Sequence, residues 1–326
     1  VIDFRYHLVS IVAIFLALTV GIVLGSTVLE TPFYRTAEEI TGQLRQANTE
    51  NRETITALQA REKGAAAFVT AHTAELVRGQ LPGERVVLVE APGAPAGLRD
   101  DIVKVLGDSG AVYTGRVSLT EKFLEADQAN VVDQLAGTVA PVGTRFPDGA
   151  TPYEKAAAVL AGALVTGDRG QAGRDDPAAV SVLEAFQTGG FLAMAGSPAQ
   201  RANIAIVVAP AQPYEGETAE GQTAAVVALA AGLDSAGVGA VLVGTTTASG
   251  AGGAISALHD AGEAASNVST VDTVDMPAGR ITVVYALREQ LAGRSGAYGV
   301  GSDTTAFSPP VSPGIGPTPK PVASGG

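Results

Sequence analysis

The chain has 326 residues, a net charge of −12 and no cysteine. That excess of acid leaves no electrostatic footprint for sequence-independent nucleic-acid binding, which works through Lys and Arg on phosphate. The missing cysteines exclude disulfides, thiolate metal sites and cysteine nucleophiles together, so an exported domain must hold itself by burial.

The first element is the longest apolar run. Leu8 to Leu29 reads LVSIVAIFLALTVGIVLGSTVL, without a charge or a proline. As a helix it covers the ~30 Å hydrocarbon core of a bilayer. Later apolar runs, at 86–89, 204–209 and 238–243, are four to six residues long and bounded by Gly, Pro or charge, as core strands are. The sequence therefore predicts one transmembrane anchor, residues 8–29. A cleaved signal peptide has a basic start, a shorter apolar core and an A-x-A-like exit. Here Arg5 stands against Asp3, and Val-Leu-Gly-Ser at 23–26 is a poor cleavage site. The positive-inside bias of Arg5 and the amino terminus places residues 1–7 in the cytoplasm and the bulk of the chain outside it. Val1 as first residue points to a start a few residues upstream or to a non-standard initiation codon. Along the anchor, Ala13, Ala17, Gly21 and Gly25 recur every four residues and line one face. Gly21 to Gly25 is a G-x-x-x-G pattern, which lets a second helix approach closely.

Behind the anchor, Thr31 is placed to cap a new helix beginning at Pro32, where a proline is tolerated at the first helical position. Residues 32–81 are charged and polar with a sparse apolar stripe, predicting a helical stalk of roughly 70 Å. A heptad register puts Leu44, Asn51 and Leu58 at a positions and Ile40 and Phe68 at d positions. Arg61 and Glu75 fall at d and break the seam. The stripe suits a coiled coil, or a single long helix packed on a partner or on its own domain.

Residues 84–299 alternate short apolar strands with helical segments. Strands are predicted at 86–90, 111–117, 191–194, 204–209, 238–243 and 268–271. Helices are predicted at 97–108, 119–135, 153–165, 177–187, 222–235, 254–264 and 281–291. Near-continuous Val/Ile/Leu strands between helices predict a mostly parallel, Rossmann-like α/β domain. After Gly299 the chain carries six prolines and little charge, so residues 300–326 read as a disordered Pro/Gly-rich tail.

Four stretches together resemble one known family: FRYHLVSIVAIFLALTVGIVLGSTVL at the start, VSLTEKFLEA at 117–126, STVDTVDMPAGRITVVYAL at 269–287 and GAYGVG at 296–301. This is the actinobacterial MctB family of copper transport proteins, whose corynebacterial counterpart is SteB. The resemblance runs from the anchor to Gly301. It implies copper homeostasis in the cell envelope. The SteB branch implies a different role, in which a complex with a SteA-like membrane protein acts on a peptidoglycan hydrolase during division, with the coiled coil as contact region.

The residues themselves bear on those implications. Copper calls for clustered Met, Cys and His, and the chain offers Met194, Met276, His7, His72 and His259 without M-x-x-M or H-x-x-H spacing. Copper thus rests on the resemblance, and the metal ligands stay unassigned. Gly244 to Gly253 follows a predicted strand and is rich in Gly, Thr and Ser, as an anion cradle would be, but it lacks both G-x-G-x-x-G and G-K-[ST] and reads as a flexible loop. Asp100 with Asp101, and Asp175 with Asp176, read as solvated faces or loops. Ser256 and His259 lie one helical turn apart, without a visible oxyanion site or orienting acid. No catalytic or cofactor residue is expected. The sequence predicts a membrane-anchored envelope protein that acts by binding, as a homodimer or with another membrane protein.

Overall fold

The structure, a computed structural model, describes residues 4–144, 146 and 148–310. The chain divides into two units, residues 1–65 and 66–326. In the first, helix α1 (Phe4–Val77) begins, and it continues into the second. The separate anchor and stalk helices expected around Thr31 are one element. Proline at position 32 removes one ladder hydrogen bond, and long helical segments on either side carry the helix through.

The second unit follows the order β1 (Arg85–Glu90), α2 (Ala96–Ser109), β2 (Val112–Leu119), α3 (Glu121–Leu124), α4 (Ala129–Val139), α5 (Pro152–Leu164), α6 (Pro177–Thr188), β3 (Leu192–Gly196) and β4 (Ile204–Val208). It ends with α7 (Ala219–Ala236), β5 (Gly239–Val243), α8 (Ala254–Asp260), β6 (Ser269–Val271), α9 (Pro277–Gln290) and β7 (Ala297–Tyr298). The strands form one open sheet in the order β3-β2-β1-β4-β5-β6-β7. Among the described residues, only the β2–β3 pair is antiparallel. A mostly parallel, doubly wound sheet is what the strand composition predicts.

Alternation along each strand feeds two cores, as the period of two requires. Val87, Val89, Ala205, Val207 and Leu242 face Leu160, Leu183, Phe186 and Leu229 on one side. Val86, Leu88, Ile204, Ile206 and Val241 face Val77, Leu81, Leu106, Val284 and Leu287 on the other. Local chemistry sets several helix starts. Thr151 and Glu154 form a reciprocal capping box on α5, and Asp176 accepts the N–H groups of Ala178 and Ala179 on α6; both helices open with Pro at the first position.

Three expectations are corrected. The helix expected at 119–135 is broken, because Leu119 ends β2 and Glu125 turns extended (φ −65°, ψ 128°). That turn lets Phe123 and Leu124 end α3 in the core, while α4 buries Val132 and Ala136. The helix expected at 254–264 stops at Asp260, ahead of Gly262 at φ +68°. Residues 300–310, expected to belong to a disordered tail, have a defined place beside the sheet. Gly299 N–H donates to Ala306 O at 3.0 Å and Thr305 N–H to Ala297 O at 2.9 Å, so Thr305 and Ala306 pair beside β7, the last strand of the sheet, while Val300 and Gly301 donate to Asp272. Residues 311–326 lie outside the described residues.

Candidate functional site at the carboxyl ends of the strands

In an open α/β sheet, ligands bind outside the carboxyl ends of strands, at the point where strand order reverses. Here that point lies between β1 and β4. Glu90 closes β1 and is 6% exposed. Arg99 of α2 grips it with two parallel hydrogen bonds, Nε to Oε1 at 2.7 Å and Nη2 to Oε2 at 3.1 Å. Ser118 of β2 also donates to Oε2, and Arg116 Nη1 lies 4.0 Å away. Burial pushes the carboxyl pKa up, but the hydrogen bonds from Arg99 and Ser118 and the charges of Arg99 and Arg116 outweigh it, and the net shift is downward. Such a carboxylate is held ionised with its lone pairs engaged. It is a poor general base.

The crevice beside it is filled by the chain itself. Ala91 N–H donates to Val208 O at 3.0 Å and Ala211 N–H to Gly93 O at 2.9 Å. Tyr214 reaches back from the loop after β4, its hydroxyl donating to Pro92 O at 2.9 Å. Burial raises the pKa of that hydroxyl, so it stays a neutral donor.

A second position, at the ends of β5 and β6, is filled in the same way. Asp272 follows β6 and is 1% exposed. Its Oδ1 accepts Val300 N–H at 3.0 Å, and its Oδ2 accepts Gly301 N–H at 2.7 Å and Ser249 Oγ–H at 3.0 Å. Ser249 belongs to the Gly244–Gly253 loop. That loop therefore faces a buried carboxylate, whose charge repels an anion, and it folds back on itself where Ala248 N–H meets Thr245 O and Ile255 N–H meets Ala248 O, both at 2.9 Å.

The soft donors named from the sequence are not brought together. His259 Nε2 pairs with Thr270 Oγ1 at 3.0 Å, turning from Ser256 toward β6. His72 Nδ1 lies 3.3 Å from Glu75, and its ring packs at a tilt against Phe68 with 4.6 Å between centroids. Met194 lies in β3, Met276 precedes α9 and His7 is in the apolar part of α1. Among the described residues, no three His, Cys, Asp or Glu side chains gather as metal ligands would. Ala13, Ala17, Gly21 and Gly25 are surface residues of α1, with open space around both glycines. Ile40, Leu44, Asn51, Leu58 and Phe68 are all exposed. The residues that hold the two strand-end positions, Glu90, Arg99, Ser118, Ser249 and Asp272, were not singled out from sequence. The available signal was a charge closing an otherwise apolar strand, as at Glu90 and just after Val271.

Phe4–Ser26 is long and apolar enough to cross a membrane, and none of it is buried within the protein. With the doubly wound domain that follows, it defines the class: a single-pass membrane protein carrying an open α/β sheet.

Residues 1–309 match the family described as "Copper transport outer membrane protein, MctB", and the chain belongs to that family. It is 30% identical over 322 residues to proteins named copper transporter MctB from Mycobacterium bovis and from Mycobacterium tuberculosis, covering 92% of this chain and 96% of each relative. The Mycobacterium leprae relative of the same name is 29% identical over 322 residues, covering 95% of this chain and 99% of its own. Family and span together make this a membrane protein whose large part is extracytoplasmic.

Proposed function

We propose that this chain is a membrane-anchored envelope protein of copper homeostasis that acts by binding other components, without catalysis and without holding copper in a site of its own. The filling of both strand-end positions carries this reading: the places where an open α/β sheet takes small ligands are occupied by the chain's own groups around Glu90 and Asp272. The spread of Met194, Met276, His7, His72 and His259 supports the second half. The sheet is open, with edges at β3 and β7 and a core on each face, so it does not enclose a path for the metal. Ala13, Ala17, Gly21 and Gly25 offer a second membrane helix a close-packing face.

Titration of the full-length chain in nanodiscs with Cu(I) under anaerobic conditions, and with Cu(II), tests the reading. The expected result is no saturable binding at micromolar metal. One equivalent bound tightly would overturn it.

A second reading follows the SteB-like branch: a scaffold that regulates a cell-wall hydrolase through a SteA-like membrane partner. The exposed apolar side chains Ile40, Leu44 and Leu58 along α1 favour it. Co-purification of a defined SteA-like protein with the wild-type chain, lost on substituting these three by Ser, is the outcome it requires.

A further inference from the structure

The domain buries one face of the end of α1. Thr73 and Val77 are buried there, Ala66 and Val69 are half-buried, and Val69 and Val77 join the core beneath α2 and α9. Followed back along the helix, that face repeats every eleven residues. Leu44, Ile55, Ala66 and Val77 occupy one position of the repeat; Ala47, Leu58 and Val69 occupy a second; Ile40, Asn51, Glu62 and Thr73 occupy a third. Eleven residues make three turns at about 3.67 residues per turn, so the stripe drifts slowly around the helix in the opposite sense to a heptad and suits a slight right-handed supercoil. All four large aliphatic residues between positions 40 and 60 fall on it, and all four are exposed: Ile40 (52%), Leu44 (66%), Ile55 (52%) and Leu58 (55%). Phe68, a heptad position, falls off the stripe, and Arg61 and Glu75, which broke the heptad, fall off it too.

We propose that α1 from Ile40 to Leu58 pairs in parallel with the same segment of a second copy, through this eleven-residue repeat. The proposal rests on the binding role above and names the partner for one surface. Continuity is the first argument: the same stripe is an apolar contact surface where the domain covers it, and it continues uncovered over roughly 27 Å at 1.5 Å per residue. Self-complementarity is the second. In an in-register parallel pair Asn51 meets its own counterpart, so each amide finds a donor and an acceptor, and a slip of one repeat would bury it against Ile40 or Glu62 positions. Parallel direction follows from the apolar span at Phe4–Ser26, which anchors both copies from the same end and raises their local concentration. Glu62 sets the upper limit, because two carboxylates facing each other repel and the domain takes the stripe beyond it.

The absence of cysteine makes the test clean. Full-length single-cysteine variants at Ala47, Ile55, Leu58, Thr54, Arg61, Gln46 and Glu53 are inserted in membranes and treated with a short bismaleimide. Dimer-sized product is expected from 47, 55 and 58, with loss to background at 46 and 53, and with Ile55 above Thr54. In the same chains Leu44→Glu should abolish the product at 58. Product that peaks at 54 and 61 overturns the eleven-residue register. Background yield at every stripe position, from chains recovered in the membrane fraction, overturns the second copy as occupant. Copper titration is blind to this pairing, so the two readings stand or fall separately.

Discussion

Arg99 and Glu90 form a two-pronged ion pair that ties the start of α2 to the last residue of β1, with Nε–Oε1 at 2.7 Å. A strand end buried between two helical layers leaves its carboxylate little water, so the guanidinium supplies what solvent cannot. Glu90→Gln keeps the shape and removes the charge. Because Arg99 is 28% exposed and keeps some hydration, the loss is expected at about 1–3 kcal/mol, below the full cost of breaking a buried pair. Urea unfolding at neutral pH measures it. The pH dependence has a definite sign: the carboxyl is held below its ordinary value of 4.5 when folded, so its stabilisation is complete above that value and is lost as pH falls through the lowered one. The wild-type and Gln curves should therefore converge in acid.

Asp234 is the opposite case. Burial raises its pKa, and one hydrogen bond from Ala240 N–H, at 3.0 Å, only partly offsets this. A raised carboxyl favours the folded state at low pH, and that contribution disappears as pH rises through the folded value. Asp234→Asn keeps an acceptor for Ala240 and removes the charge. Its Tm should exceed that of wild type at pH 7, with the gap closing as pH drops below the ordinary value of 3.8.

Asp272 uses both oxygens to hold Val300 and Gly301. Asp272→Asn presents an NH2 to one of those N–H donors, leaving a buried donor unpaired at a cost of about 1–3 kcal/mol. The segment it pins should become the first site of cleavage. Limited proteolysis followed by mass spectrometry is expected to find new cuts at 299–306 in the variant and none there in the wild type at the same protease dose.

Gly279 lies in the first turn of α9, where a Cβ would run into the carbonyl of Thr273. Backbone cannot yield as a side-chain tip can. Gly279→Ala should cost more than about 2 kcal/mol despite the better helix propensity of Ala, whereas Gly107→Ala, with open space around it in α2, should be neutral or stabilising. Comparing the two Tm values isolates the steric effect.

The apolar span was legible at once, because an uncharged run of that length is long enough to cross a bilayer. Most strands of the domain were legible too, since a strand buried on both faces writes its character into consecutive residues such as Val86 to Val89. Short or composite elements were not. Ala297–Tyr298 is too brief to show a period, and Glu125 breaks a helical pattern for reasons that lie in the burial of Phe123 and Leu124. The candidate positions at Glu90 and Asp272 were hidden for a related reason. Their partners stand 9 and 28 residues away for Glu90, and 23 to 29 away for Asp272.

The opening stretch reached one firm result, an apolar anchor ahead of a helix with an uneven apolar stripe, because hydropathy and helical spacing are local properties. Which of its residues are buried was decided by tertiary structure. A heptad and an eleven-residue repeat share Ile40, Leu44, Asn51 and Leu58, and they part at Ile55, Arg61 and Phe68. Val69 is half-buried and Thr73 and Val77 are buried, a pattern at the end of α1 that depends on residues distant in sequence. Likewise, only packing shows that the sheet's usual ligand positions are filled from within, since that depends on loops meeting across the fold.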